Sequence, residues 1–387
     1  NKKRMPKKII VLGAGLVGLP IALDLATEEN FNVTIADIDK NRLDGIANDK
    51  IETKQVNLQN KKELLEILEP FDFVINAVPG FMGFTCLKNC IEAKKDIVDI
   101  AFYPEDVFEL SNLARENNVR VICDIGVAPG MSNLLTGYAA SKLDKVETVD
   151  IYVGGLPKVR TKPWEYKAVF SPSDVIEEYT RPARIVRNGK IVTVEPLTEI
   201  ELLEFDKIGS LEAFNSDGLR SLLFTIQADN MSEKTLRYPG YAEKIQLLSD
   251  NGFFKPEKIE VEGQLVSPLE LTSKLLFDQW KLGEKEEDIT VMRIIVEGIA
   301  SGKKTRYCFN LYDEYCNESG IHSMARTTGY TASTALRLLA ENKYNQVGIS
   351  VGEMMGKDES VVNFMLNGLK ERGIIYKSKI EYPNNHQ

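Results

Sequence analysis

The chain has 387 residues, a formal net charge of -9 and a pI of about 5.2. With 43% hydrophobic and 27% charged residues it has a globular composition, which excludes a disordered polymer, a collagen-like repeat and a membrane bundle. A length of this order predicts two domains or three, and the acidic balance argues against nucleic acid as a partner. Five cysteines, odd in number, make no disulfide framework, so reduced thiols buried as small apolar side chains are expected. Imidazole is limited to His322 and His386, and no metal site is expected.

Five of the first eight residues are basic and precede an apolar run at 9–23, the outline of a secretory signal. Glycines 13, 15 and 18 and Pro20 interrupt the run, and no small-residue cleavage motif follows it. It is also shorter than the roughly 20 residues of a spanning helix. The segment is read as part of the fold, and a cytoplasmic protein with no membrane partner is expected. Asn1 in first place leads us to expect a natural start further upstream. A strand at 8–12 and a helix at 16–27 come first, then a strand at 32–36, a helix at 61–68 and a strand at 73–78. A helix at 84–93, a strand at 97–100, a helix opened by Pro104 and running to 117, a strand at 119–123 and a helix at 130–143 continue the alternation. Strands spaced by helices of this length predict parallel βαβ units covered on both faces.

Beyond about residue 146 the pattern changes. Residues 146–153 alternate, with Val149, Ile151 and Val153 on one face. Asn188-Gly189 stands between two alternating runs within 184–194, a strong hairpin signal. A second hairpin is expected from 289–300 and 305–315 around Ser301-Gly302. Ser267-Pro-Leu-Glu270 reads as a capping box with Pro in the first turn, opening a helix to 280. Hairpins with interspersed helices predict an antiparallel α+β domain over roughly 125–325, followed by helices at 327–340 and 361–372.

Gly13-Ala14-Gly15-Leu16-Val17-Gly18 follows the first strand and opens a helix. In the dinucleotide fingerprint the first glycine permits the tight turn, the second admits the pyrophosphate to the backbone, and the third lets helix and strand pack closely. Amides at the helix start then face the phosphates. Asp37 ends the second strand 19 residues beyond Gly18, where a carboxylate accepts ribose hydroxyls. With Ile38 beside it, Asp37 favours NAD, since a 2′-phosphate would sit against the acid; Arg42 nearby leaves NADP open. Asn57 is placed to reach the adenine or simply to end a strand. Asn76-Ala77-Val78-Pro79-Gly80 ends a strand at the carboxyl edge, where we expect the nicotinamide half.

Further motifs occur in order: Gly126-Val-Ala-Pro129-Gly130-Met, Tyr152-Val-Gly-Gly-Leu-Pro157, Tyr166-Lys167, Glu212-Ala-Phe-Asn-Ser-Asp-Gly218, Lys234-Thr-Leu-Arg-Tyr-Pro-Gly240 and Met324-Ala-Arg-Thr-Thr328. With the fingerprint, they make the chain resemble the saccharopine dehydrogenase family over nearly its whole length, most of all its lysine 6-dehydrogenase-like branch. The resemblance implies an α/β fold: a Rossmann-type, doubly wound parallel-sheet domain with an inserted α+β domain that binds substrate and builds a homodimer. The expected limits are 1–125 for the first part of the Rossmann domain, 126–325 for the insert and 326–387 for the returning helices. The implied chemistry is hydride transfer between a nicotinamide and an amine-bearing carbon. Saccharopine-forming reductases carry an acid where Ala128 stands, a cysteine where Val153 stands and Asn-Arg-Asp where Asn215-Ser216-Asp217 stands. Lysine 6-dehydrogenases match at the first two places and carry His-Thr-Ser-Gly at the third.

Oxidising a primary amine requires a base, and no histidine lies in the expected cleft. Lys167 serves if burial or a neighbouring cation lowers its pKa, and Tyr166 and Asp217 are the other catalytic candidates. Arg237 offers two parallel hydrogen bonds to an amino-acid carboxylate, with Tyr238, Asn215 and Gly130 as further substrate contacts. Each has a plainer reading: a surface lysine, an Asp-Gly turn, a structural arginine, a helix start. Phe102-Tyr103 walls the nicotinamide pocket or packs in the core. The leading expectation is an NAD-dependent amine or amino-acid dehydrogenase with a small-molecule substrate. Saccharopine or carboxynorspermidine chemistry is the alternative within the enzyme class, and a non-catalytic redox sensor is the alternative outside it.

Overall fold

In the computed structural model, which describes residues 5–46, 48–169, 172–283 and 285–383, the β-rich run Lys7–Leu12 forms strand β1. Helix α1 (Gly18–Leu25), β2 (Phe31–Asp37), α2 (Lys40–Asp44), β3 (Ile51–Gln55), α3 (Lys61–Leu68), β4 (Phe73–Asn76), α4 (Gly80–Glu92) and β5 (Asp96–Asp99) follow. Then come α5 (Ser111–Glu116), β6 (Arg120–Cys123) and α6 (Met131–Ser141). The middle of the chain holds β7 (Lys145–Pro157), α7 (Pro172–Thr180), β8 (Ala183–Arg187), β9 (Lys190–Val194), β10 (Glu201–Phe205) and β11 (Gly209–Asn215). It continues with α8 (Leu222–Thr225), β12 (Ala228–Arg237), α9 (Tyr241–Asp250), β13 (Ile259–Val261), β14 (Gln264–Val266), α10 (Pro268–Trp280), β15 (Asp288–Ala300) and β16 (Lys303–Glu314). Helix α11 (Ser323–Ala340), β17 (Gly348–Val351), α12 (Gly352–Met355), α13 (Glu359–Glu371) and β18 (Tyr376–Glu381) complete it. His386 lies outside the described residues.

The chain divides into two compact units, Asn1–Ser141 with Ala325–Ile375 and Lys142–Met324 with Tyr376–Gln387. Compared with the expected limits at 125/126 and 325/326, α6 stands with the first unit and β18 with the second. The reason is local: α6 packs on α12 and α13, whereas β18 pairs antiparallel with β16.

The first unit holds an all-parallel sheet ordered β17-β6-β5-β4-β1-β2-β3. Strand order reverses between β1 and β4, the switch point outside which open α/β sheets bind ligands. Its central strands are buried on both faces, as the near-continuous apolar runs Ile9–Leu12 and Phe73–Ile75 require, while edge strand β3 is exposed beyond Ile51. The expected helix at 16–27 begins only at Gly18, because the glycine turn extends through Val17. The helix expected from Pro104 begins beyond it, since the Asp106 carboxylate accepts from Phe108 N and starts a short 3-10 turn ahead of α5. Asp24 on α1, 9% exposed, fixes the returning chain: its carboxylate meets Arg337 Nη1 of α11 and Arg372 Nε after α13, each at 2.7 Å.

In the second unit the sheet runs β10-β11-β12-β7-β15-β16-β18, with β8 and β9 joined beside β12. It is mixed, not purely antiparallel: β7 and β12 pair in parallel along Val146–Val153 and Ala228–Thr235. The hairpins form at Asn188-Gly189 and Ser301-Gly302, where both residues of each pair have positive φ, as the tight two-residue turn requires. Ser267 caps α10 as expected, its hydroxyl accepting from Glu270 N. The run 289–300, which read by itself offers a free edge to a second copy, has none, because β15 lies between β7 and β16 and bonds to both.

Replacing Asp24 by Ala leaves two largely buried guanidiniums without their shared carboxylate. Loss of one partner from a buried ion pair costs about 3–5 kcal/mol. A urea unfolding series on Asp24→Ala is expected to show a loss of that order. A midpoint unchanged from wild type would mean that solvent already screens the cluster.

Candidate functional site

The first unit places the glycine turn and the end of β2 together. Gly13 has φ +102, and a β-carbon there would lie 2.5 Å from the Ala77 carbonyl oxygen. One at Gly18 would lie 2.0 Å from the Gly13 oxygen, so helix and turn meet closely only as glycine backbone. Gly15 differs: nothing lies within 4 Å of the position its β-carbon would take, which leaves the backbone open to a ligand. Among the described residues the amides of Gly15, Leu16 and Val17 donate to no protein acceptor. Leu16 and Ile38 are 59% and 62% exposed beside this turn. These features fit a dinucleotide: open glycine backbone and undonated amides for the pyrophosphate, and a carboxylate at the end of β2 for the ribose.

Asp37 has a second task that sequence spacing did not reveal. Its Oδ2 accepts from Ala14 N at 2.7 Å and its Oδ1 from Asp39 N at 2.8 Å, so the acid itself holds the glycine turn. Arg42 is turned to Asp39, 3.4 Å away, and Asp39 caps α2. Asn57 Oδ1 accepts from Gln59 N, which makes its side chain a local turn residue. Asn76 departs from its expected role as a cofactor contact. It is fully buried, and its Nδ2 donates to Asp99 Oδ1 at 2.8 Å and to Gly83 O at 3.1 Å. The turn at Ala77, Val78 and Pro79 then leads into α4, which starts at Gly80. Gly130, expected at a substrate contact, has φ +143, and its amide donates to Asn133 Oδ1 at 3.3 Å; its glycine is demanded by Gly126 O, 1.9 Å from where a β-carbon would lie.

The second unit gathers the other candidates around β11, β12 and α7. Arg237 is 2% exposed. Its Nη2 donates to Glu178 Oε2 at 2.9 Å and Tyr179 Oη at 3.1 Å, its Nη1 donates to Leu236 O, and its guanidinium lies 4.5 Å over the Tyr166 ring. Tyr166, Tyr179, Tyr241, Phe214 and Trp280 enclose it in one aromatic core. The carboxylate clamp expected of Arg237 is thus filled from within by Glu178. Burial pushes the Tyr166 phenol well above its ordinary range, so it makes a poor base near neutrality. Asp217 is held by Arg184 through both carboxylate oxygens, Nε and Nη2 each at 2.9 Å. Tyr238 Oη donates to Pro157 O at 2.9 Å, and Asn215 Nδ2 donates to Thr198 Oγ1 at 3.2 Å. Lys167 keeps partial exposure, with Nζ 3.2 Å from Lys281 O and 3.6 Å from Glu286 Oε1.

One residue in this region escaped sequence reading. Glu233, on β12, is 5% exposed and accepts from Ser216 Oγ at 2.6 Å. Gly218 packs on it so closely that a β-carbon there would lie 2.3 Å from the carboxyl. Burial pushes the Glu233 carboxyl up to about 7, aided by Glu178 and Asp217 and opposed by the Ser216 and Gly218 hydrogen bonds. Only the register of β12 against β7 and β11 brings it beside Ser216, and no sequence signal marked it.

A doubly wound sheet with an open glycine turn at its switch point defines a Rossmann-type nucleotide-binding fold joined to a mixed-sheet domain. Residues 9–122 match the family model described as saccharopine dehydrogenase NADP binding domain, and residues 126–374 match the saccharopine dehydrogenase C-terminal domain. The chain belongs to the saccharopine dehydrogenase family. It is 24% identical over 377 residues to the carboxyaminopropylagmatine dehydrogenase of Synechocystis sp., covering 91% of this chain and 93% of that one. It is 27% identical over 268 residues to the mitochondrial alpha-aminoadipic semialdehyde synthase of Rattus norvegicus, but spans just 28% of that protein. The fold matches the apo saccharopine dehydrogenase (L-Glu forming) of Saccharomyces cerevisiae with a TM-score of 0.80, covering 97% of this chain and all of that one at 20% identity. Among the described residues no helix is long and apolar enough to cross a membrane, and no group of His, Cys, Asp and Glu is arranged to hold a metal.

Two outcomes follow from the second unit. The native chain holds a proton on Glu233 between about pH 4.5 and 7 that the unfolded chain has released. Its stabilising contribution is therefore complete below pH 4.5 and lost as pH rises through about 7. Relative to Glu233→Gln, wild-type stability should decline over that window by up to about 3 kcal/mol, read from urea midpoints at each pH. Arg237→Ala should melt early and reduce turnover of amino-acid and diamine substrates alike, because it leaves Glu178 unpaired beside emptied aromatic rings. Selective loss with carboxylate substrates at wild-type stability would restore the clamp.

Proposed function

We propose that this family member is an NAD-preferring oxidoreductase acting at the amine-bearing carbon of a small amino acid, with lysine 6-dehydrogenase-like oxidative deamination as the leading reaction. The observation that carries the cofactor half is the bond from Ala14 N to Asp37 Oδ2 at the switch point. It fixes an acid where the adenosine ribose lies in this fold. The bound nicotinamide supplies hydride transfer. The protein's own residues would orient it: Gly15, Leu16 and Val17 would offer amides to the pyrophosphate, Asp37 would accept from the ribose, and the turn at Ala77, Val78 and Pro79 would border the nicotinamide half.

For the substrate half, the free choices have narrowed. Tyr166 is buried and Asp217 is committed to Arg184, which leaves Lys167 as the candidate base, provided that substrate draws its ammonium away from the Glu286 carboxylate 3.6 Å off. Ala128 and Val153 support amine oxidation over saccharopine formation, because they replace an acid and a thiol by groups that move no proton. A carboxyalkyl-polyamine substrate is the second reading, favoured by the near-complete overlap with the Synechocystis relative. A homodimer and a cytoplasmic setting belong to the same proposal, supported by the family resemblance and the chain's composition.

The test is a panel of diamino acids and carboxyalkyl polyamines, each offered with NAD and NADP while reduced nicotinamide is followed. Turnover of lysine with NAD is the expected result, and exclusive turnover of a carboxyalkyl polyamine would overturn the lysine reading. NAD should bind at least a few-fold more tightly than NADP, since the Asp37 carboxylate repels a 2′-phosphate. Equal affinities in a titration would mean that a nearby cation such as Arg42 overrides Asp37. Lys167→Met should lower kcat by about 100-fold or more while leaving NAD affinity intact.

A further inference from the structure

Behind the turn that follows β4 lies a buried carboxylate that the proposed chemistry does not use. Asp99 ends β5 with no exposed surface. Its Oδ1 accepts from Asn76 Nδ2 at 2.8 Å and Ala101 N at 3.2 Å, and its Oδ2 accepts from Tyr103 Oη at 2.6 Å. The same Asn76 amide reaches Gly83 O in the first turn of α4, and Asn76 Oδ1 is buried without a partner among the described residues. One carboxylate thereby ties the end of β4, the start of α4 and the loop after β5. Between these anchors runs the turn at 77–79, whose Ala77 carbonyl presses on Gly13.

We propose that Asp99, acting through Asn76, is a positioning residue for the dinucleotide, holding the 77–79 turn in register with the glycine turn. This rests on the dinucleotide reading of the first unit. Ionised, the carboxylate accepts all three donors. Protonated, it keeps the Tyr103 bond only if the phenol turns round to accept, and the bonds from Asn76 and Ala101 lose the negative charge that strengthened them. Burial pushes the Asp99 carboxyl up to about 7, Asp124 beyond β6 adds to the rise, and the bonds from Tyr103, Ala101 and Asn76 oppose it. The other titratable groups around it are Cys90 on α4, with Cys86 beside it, and Cys123 on β6 near Tyr103. Dinucleotide affinity is therefore expected to weaken as pH falls through about 7.

The experiment is calorimetric titration of the full chain with NAD, which has no phosphate monoester titrating near pH 6, from about pH 5.5 to about pH 8.5. Wild type should lose affinity on acidification, by no more than about tenfold per pH unit. Asp99→Asn should bind more weakly at alkaline pH and give a flat profile. Two milder variants keep the test sound should Asp99→Asn fail to fold. Tyr103→Phe removes a donor and should move the midpoint up; Asp124→Asn removes a repelling charge and should move it down. A wild-type profile in Asp99→Asn, or midpoints unmoved in both milder variants, would overturn the role of Asp99 alone. Absence of NAD binding by wild type at every pH would overturn the dinucleotide reading and this inference with it.

Discussion

A β-carbon at Gly18 would fall 2.0 Å from the Gly13 carbonyl oxygen, and one at Gly13 would fall 2.5 Å from that of Ala77. Three backbone segments (the turn after β1, the start of α1 and the turn after β4) therefore meet where side chains have no room. The rest of the first unit is arranged around that meeting point. Asp37 holds the glycine turn from the β2 side through Ala14 N, and Asp99 holds the β4 turn through Asn76. On the far side of α1, Asp24 gathers Arg337 and Arg372 and so binds the returning helices to the first helix of the chain. Two of these carboxylates hold the turns at the switch point and the third holds the returning helices, and none of the three contacts is local in sequence.

The second unit follows a different electrostatic pattern. Asp217 is matched by Arg184 and Glu178 by Arg237, while Glu233, close to both acids, has a hydroxyl and an amide but no cation among the described residues. Three acids set against two guanidiniums leave one carboxyl to hold a proton into the neutral range. Arg237 illustrates the same economy of partners. A guanidinium enclosed by aromatic rings satisfies its N–H groups on Tyr179, Leu236 and Glu178, because an unpaired buried charge is far more costly than a paired one.

Family membership and residue chemistry answer different questions about this chain. Both family domains are present and cover nearly all of it, which fixes the class of reaction. The resemblance directs the question of substrate to a few side chains, Ala128, Val153 and the Asn215-Ser216-Asp217 segment. Of these, Asn215 and Asp217 are spent on Thr198 and Arg184, while Ser216 bonds Glu233 and meets Thr235. The polar side chains of this segment are thus engaged inside the second unit.

The sequence by itself determined whatever depends on neighbours along the chain. Short apolar runs specified β1, β2 and β4; Lys61–Leu68 was bounded correctly as a helix; Asn188-Gly189 and Ser301-Gly302 marked their turns; Ser267 marked a helix start. The glycine fingerprint with Asp37 was legible because its spacing is set by one βαβ unit. Tertiary structure decided what depends on strands far apart in sequence meeting in one sheet. β12 is paired with β7 on one side and β11 on the other, and its antiparallel register with β11 puts Glu233 beside Ser216. The packing of α7 against β12 turns Arg237 from a candidate clamp into an interior cation. Asn76 reads as a strand-end ligand contact, yet β4 and β5 pair in the register that gives its amide to Asp99. Local pattern specifies where a polar side chain starts, but the partner that satisfies it comes from whichever strand the sheet brings alongside.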